Sequence, residues 1–201
     1  MNFYVIKTRR PPIRLYDKMM VMSLRRYIED YEIETLIDET GREKKILKYK
    51  GPLFNISIPG MEFKIFKRWS YILLGALILF HISSGFTANP GMYQFFVAVP
   101  YAVVFIPLTL LGFGIVGLPN NLEKIQRDIM EHSFRRIKTS SIVLLVIFAL
   151  ITFGELVFMI LNPSLPHLKN EILFIMPELL ASTSVIAIFL LYRKVKIEQI
   201  K

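Results

Sequence analysis

The sequence predicts a polytopic all-α membrane protein with four transmembrane helices, preceded by a small α+β domain. Three observations predict it. Four apolar segments, residues 69–87, 92–118, 139–161 and 172–192, each have about the 20 residues needed to cross a hydrocarbon core of about 30 Å. The composition, 53% hydrophobic with a mean hydropathy of +0.46, is that of a bilayer protein rather than of a soluble domain of this length. The basic residues are divided unequally between the two sides of the segments. Of 25 Lys and Arg, 15 precede the first segment, five lie between the second and third, and four follow the fourth; only Lys169 falls in another loop. Positive charge near span ends is retained in the cytoplasm, so the expectation is a multi-pass protein of the cell membrane with both termini inside.

The sequence divides into residues 1–68, a small basic cytoplasmic domain; 69–192, the transmembrane part; and 193–201, a basic tail. In the first part Asn2–Thr8 reads as a short strand ended by Arg10-Pro11-Pro12. Tyr16, Met20, Leu24, Tyr27, Ile28 and Tyr31 recur at helical spacing. Residues 31–37 and 44–50 then flank Asp38-Glu39-Thr40-Gly41-Arg42, a polar run suited to a hairpin loop. A second hairpin is expected between 54–58 and 61–66, because apolar residues alternate with polar ones on both sides of Pro59-Gly60, a good turn pair. A domain of this size is near the lower limit for a core of its own, which favours docking on the membrane, on the inner loop or on another subunit.

Trp69–Thr87 is the first insertion signal; the N-terminus has no apolar leader of signal-peptide type. The inner loop, 119–138, reads as an amphipathic helix, with Asn120 as N-cap, Glu123 completing a capping box, and Leu122, Ile125, Ile129 and Phe134 on one face. The alternative is a solvated extension of the third span. Basic residues that meet the anionic inner leaflet are Lys67, Arg68, Arg135, Arg136, Lys138, Arg193 and Lys194.

The net charge of +9 follows this topology and comes without a nucleic-acid reading module, so no nucleic-acid partner is expected. With no cysteine, disulfides, thiolate nucleophiles and cysteine-based metal centres are excluded. Gly112-Phe-Gly114-Ile-Val-Gly117 spells a dinucleotide fingerprint but lies inside a span with no preceding strand, and Asn55-Ile56-Ser57 spells a glycosylation site on the cytoplasmic side. Asp128 and His132 share a helical face, which reads as solvated, and His167 reads as a loop residue. No metal, no cofactor and no catalytic residue is expected.

Three ionisable residues do lie inside spans: His81, Glu155 and Glu178. His81 is six residues before the end of span one, Glu155 six before the end of span three, and Glu178 six after the start of span four. Each is therefore about 9 Å below the outer boundary at 1.5 Å per residue. Tyr101 of span two, or Gln94 higher up, can join that level. Ser84, Thr152, Ala181 and Ser182 lie one turn away and permit close approach and hydrogen bonding. Pro100, Pro107 and Pro177 each leave a carbonyl of their helix without its donor.

Two functional classes follow. One is a non-enzymatic integral membrane subunit that anchors or assembles a larger complex through its cytoplasmic part, with other subunits or a second copy as partners. The alternative is a small transporter or channel component handling protons or cations at the His81–Glu155–Glu178 level. The first is preferred, because the outer loops are too short for an external domain and nearly all extramembrane chemistry is cytoplasmic.

Overall fold

A computed structural model describes residues 27–37, 43–163 and 168–200. The expected strand at Asn2–Thr8 and His167 lie outside them, as does most of the expected helix from Tyr16; its end, Ile28–Asp30, is a single 3-10 turn. The chain then forms β1 (Tyr31–Ile37), β2 (Glu43–Tyr49) and β3 (Leu53–Ser57), followed by the helix α1 (Phe63–Ser84). Helices α2 (Phe95–Val103) and α3 (Phe105–Val116) form one interrupted rod. After strand β4 (Ile125–Gln126), α4 (Arg127–Met130), a π-helical turn (Glu131–Arg135) and α5 (Arg136–Leu161) run on as one helix. Helix α6 (Leu168–Arg193) and strand β5 (Lys196–Ile200) complete the chain. The four rods, Phe63–Ser84, Phe95–Val116, Arg127–Leu161 and Leu168–Arg193, are each long and apolar enough to cross a membrane.

Helix α6 packs against both α1 and α5, and α2–α3 packs against α5. The buried positions of α6 are Glu171, Phe174, Glu178, Ala181, Val185, Ile188 and Tyr192, spaced alternately by three and four residues, with Ser184 beside them. On α1 they are Phe66, Ser70, Leu74, Leu77, His81 and Ser84. Such seams let two helices pack side by side at a shallow angle. Small residues set the closest approaches. A Cβ on Gly154 of α5 would come within 3.1 Å of the Phe96 carbonyl oxygen, the group that Pro100 deprives of its helical donor. The α2–α3 interruption at Val104 has the same origin, since Pro107 cannot donate to the Val103 carbonyl.

The β1–β2 hairpin forms as expected, pairing antiparallel from Tyr31↔Tyr49 to Ile37↔Glu43. Glu34–Lys48 (2.9 Å) and Glu32–Lys50 are cross-strand ion pairs. The hairpin is tied to the inner loop by Tyr31, whose hydroxyl is 3.1 Å from Gln126 Oε1 and 3.2 Å from Asp128 Oδ2. Tyr49 accepts the Arg127 N–H at 3.0 Å.

Two expectations need correction. The second hairpin does not exist: Phe54–Ser57 is strand, but Phe63–Phe66 is the first turn of α1. Pro59-Gly60 still turns the chain, Gly60 at φ +77°, yet it turns strand into helix. Met61, Phe63 and Ile65 alternate, but Phe66, Ser70 and Leu74 continue the helical seam, and burial of Phe66 against the ring of Tyr192 (centroids 4.7 Å apart) decides the conformation. The partners of β3 are distant in sequence. It lies between β4 and β5 in a three-stranded antiparallel sheet, with Leu53↔Ile200 to Ser57↔Lys196 on one side and Leu53↔Gln126, Phe54↔Ile125 on the other.

Residues 196–200 of the basic tail, to which the sequence alone assigns no conformation, are therefore a strand. The second correction concerns 119–138, which is helical only from Arg127. Pro119 to Lys124 cross the bundle end as a loop in which Lys124 has φ +52° and donates its N–H to Asn55 Oδ1 at 3.1 Å. Asn120 is therefore no N-cap; it accepts Lys67 Nζ at 3.1 Å, while the same ammonium reaches the Leu118 carbonyl at 3.3 Å and neutralises the end of α3. Strands β3, β4 and β5 each adjoin the same end of the rods, so the sheet closes that end of the bundle.

Candidate functional site

The buried ionisable groups of the bundle, His81, Glu155, Glu171 and Glu178, gather at the end opposite the sheet, in two clusters. The first joins α1, α2 and α6. His81 Nδ1 is 3.0 Å from Glu178 Oε1 and 3.4 Å from Oε2, and the two side chains are 0% and 1% exposed. Ser84, one helical turn from His81, bonds Glu178 Oε1 and the His81 carbonyl, the latter at 2.7 Å. Tyr101 donates to the same carbonyl at 2.9 Å. The imidazole lies among the rings of Tyr101, Phe105 and Phe148, with centroids 4.4, 5.0 and 5.7 Å away. Its Nε2 atom is buried and has no hydrogen-bond partner among the described residues.

The second cluster joins α5, α6 and the turn before α2. Asn89 donates through Nδ2 to Glu155 Oε1 (3.2 Å) and to Glu171 Oε2 (2.9 Å), and the Gly91 N–H donates to Glu171 Oε1 at 3.3 Å. Both carboxylates are fully buried and Asn89 is 1% exposed. No Lys, Arg or His forms an ion pair with either carboxylate among the described residues. Two buried carboxylates so placed cannot both hold a full charge without a proton or a cation to offset it. Glu155 Oε2 and Asn89 Oδ1 are buried acceptors with no partner among the described residues. Gly91 is required by contact: a Cβ there would strike both carboxylate oxygens of Glu155.

Of the four residues expected to share one level, the structure therefore brings His81, Glu178 and Tyr101 together and places Glu155 in the neighbouring cluster. Glu171 and Asn89 were not anticipated. Glu171 was legible, because it precedes Glu178 by seven residues on one seam; it falls one residue outside the apolar segment and so reads as a loop. Asn89 carries no comparable signal. On the sheet side of both clusters the seams are apolar, with Leu77, Phe148, Ile151, Ala181 and Val185 at 0–1% exposure. Among the described residues, the next side-chain hydrogen bond from α6 to another helix, Ser70 with Tyr192 at 3.1 Å, lies at the sheet end.

The basic residues ring the sheet end. Lys67 caps α3 as described. Arg135 Nη1 is 4.0 Å from Glu131, and Arg136 donates to His132 Nδ1 at 2.9 Å. Arg68, Lys138, Arg193 and Lys194 are exposed and form no ion pair among the described residues. No group of three or more His, Asp or Glu is arranged to hold a metal among the described residues. Comparison of the chain with known protein families, with curated proteins and with solved structures finds no match.

Proposed function

We propose that this protein is a non-enzymatic integral membrane subunit that assembles a larger complex at its cytoplasmic face, the end carrying the sheet and the basic ring. The observation that supports it is the edge of β5. This strand pairs with β3 on one side and with nothing among the described residues on the other, and Lys196–Gln199 are exposed. An open strand edge is a template for a strand from another chain. The register tells which groups are offered. Ile56 donates its N–H away from β5, to the Leu122 carbonyl at 2.9 Å, so Ile56↔Ile197 and Phe54↔Gln199 are non-hydrogen-bonded pairs. The N–H groups of Ile197 and Gln199 therefore face outward.

Gln199→Pro tests this reading. It removes an outward N–H and leaves the β3–β5 ladder intact, as proline does on an edge strand. Gentle detergent extraction from native membranes followed by mass determination should give a particle heavier than the 23.4 kDa chain, and the substitution should release the monomer. A wild-type monomer under these conditions, or a complex unaffected by Gln199→Pro, would count against docking through this edge.

A second reading is supported by the orphan acceptors of Glu155 and Asn89: a component that binds protons or a cation at the outer end of the bundle. The apolar layer beneath the clusters supports a site accessible from one side only. Glu155→Gln and Glu178→Gln should each abolish pH-dependent ion uptake into proteoliposomes if this reading holds, and leave assembly intact.

A further inference from the structure

A cleft of about 310 Å³ opens at the base of α5, lined by Tyr27, Leu110, Glu131, His132, Arg135, Arg136, Thr139 and Ser140. This is within the range of roughly 300–1,000 Å³ typical of small-molecule sites. Its floor is the π-helical turn Glu131–Arg135, an irregularity that recurs at functional positions because it re-aims side chains from the helical register. Glu131 is occupied: it accepts Tyr27 at 2.8 Å and Arg127 at 3.2 Å. Arg136 is different. Its guanidinium is oriented by the hydrogen bond to His132 Nδ1, and no carboxylate pairs with it among the described residues. A bond from arginine requires Nδ1 to be an acceptor, so a neutral His132 carries its proton on Nε2. Among the described residues the hydroxyls of Thr139 and Ser140 also have no hydrogen-bond partner, unlike Ser141, which returns to the Ile137 carbonyl at 2.8 Å.

We infer that this cleft binds the phosphate of a membrane phospholipid, with Arg136 as the cationic fork and Thr139 and Ser140 as hydroxyl donors. Three observations select a lipid over a free phosphate. The cleft lies where the basic turn meets the apolar run of α5, the depth of a headgroup phosphate if the four rods span the bilayer. Its far wall is Leu110 of α3, an apolar residue. From Leu110 an exposed stripe, Ile106 and Val103, continues toward the membrane centre, where an acyl chain would lie. The inference is independent of partner docking at β5, which is on another surface.

The test uses the full chain purified in detergent and titrated with phosphatidylglycerol, bound lipid being counted by native mass spectrometry. Arg136→Gln should weaken binding about fivefold or more, the equivalent of about one phosphate-facing cation. Leu110→Trp, a change on the lipid-facing wall that leaves the bundle core untouched, should also weaken it. Lys194→Gln, an exposed cation elsewhere on the same ring, should weaken it far less than Arg136→Gln. Equal weakening by Arg136→Gln and Lys194→Gln would mean diffuse charge attraction and overturn the site. Displacement of the lipid by millimolar inorganic phosphate, with no effect of Leu110→Trp, would assign the cleft to free phosphate instead.

Discussion

Replacing Glu178 separates a fastening role from a charge-handling one. Glu178→Leu removes the hydrogen-bond partner of His81 Nδ1 and the acceptor for Ser84 in a site that is at most 1% exposed. A buried polar group left without its partner costs about 1–3 kcal/mol, although hydrogen bonds between membrane helices average about 0.6 kcal/mol with a maximum of about 1.7. Two bonds lost, with His81 Nε2 already unpartnered, lead to an expected destabilisation of about 1–3 kcal/mol. Glu178→Gln should cost less than about 1 kcal/mol, because the amide retains an oxygen acceptor and the shape of the side chain. The assay is reversible unfolding in mixed detergent micelles followed by helical circular dichroism. A cycle with His81→Ala should show that the second substitution adds little once the first is made. If Leu is tolerated as well as Gln, or if the cycle is additive, His81–Glu178 does not fasten α1 to α6.

Two further outcomes follow from the packing and from the sheet end. Gly114→Ala should destabilise the bundle by about 1–3 kcal/mol in the same assay, since its Cβ would lie 2.6 Å from Ile137 Cγ1 and 3.3 Å from the Ser133 carbonyl oxygen, at a buried α3–α5 contact. Tyr31 should titrate late: burial, reinforced by the Asp128 carboxylate, pushes its hydroxyl from 10.0 up to about 12. Its neutral form is favoured by folding, so its contribution to stability is complete below pH 10 and lost as the pH rises through about 12. The ultraviolet titration difference between the wild type and Tyr31→Phe reads it, and Asp128→Asn should move it down; a Tyr31 that ionises near 10 in the folded protein would contradict the contact.

The spans were legible because a bilayer imposes length and hydropathy on contiguous residues. The β1–β2 hairpin was legible because its polar loop and both strands are adjacent in sequence. The β3 sheet was not, because a period of two states that Phe54–Ser57 is a strand but carries nothing about which strand completes it. Pro59-Gly60 supplied a local partner at 61–66, whereas the folded chain uses β5, some 140 residues on. In the tail, the lysines masked the alternation of Val195 and Ile197 with Lys194, Lys196 and Glu198. The polar residues were found by depth, but depth leaves rotation about each helix open. The seams, which become visible once α6 lies between α1 and α5, decide that His81 meets Glu178 while Glu155 meets Asn89 and sits beside Glu171.

Sidedness underlies both the docking edge and the phosphate cleft, and labelling of single cysteines in this cysteine-free chain tests it most directly. Glu123 and Lys169 are exposed and lie at opposite ends of the bundle. With an impermeant thiol reagent on intact cells, Lys169→Cys should be labelled at once and Glu123→Cys only after the membrane is opened. Labelling of Glu123→Cys but not Lys169→Cys on intact cells would invert the protein in the membrane and contradict the account.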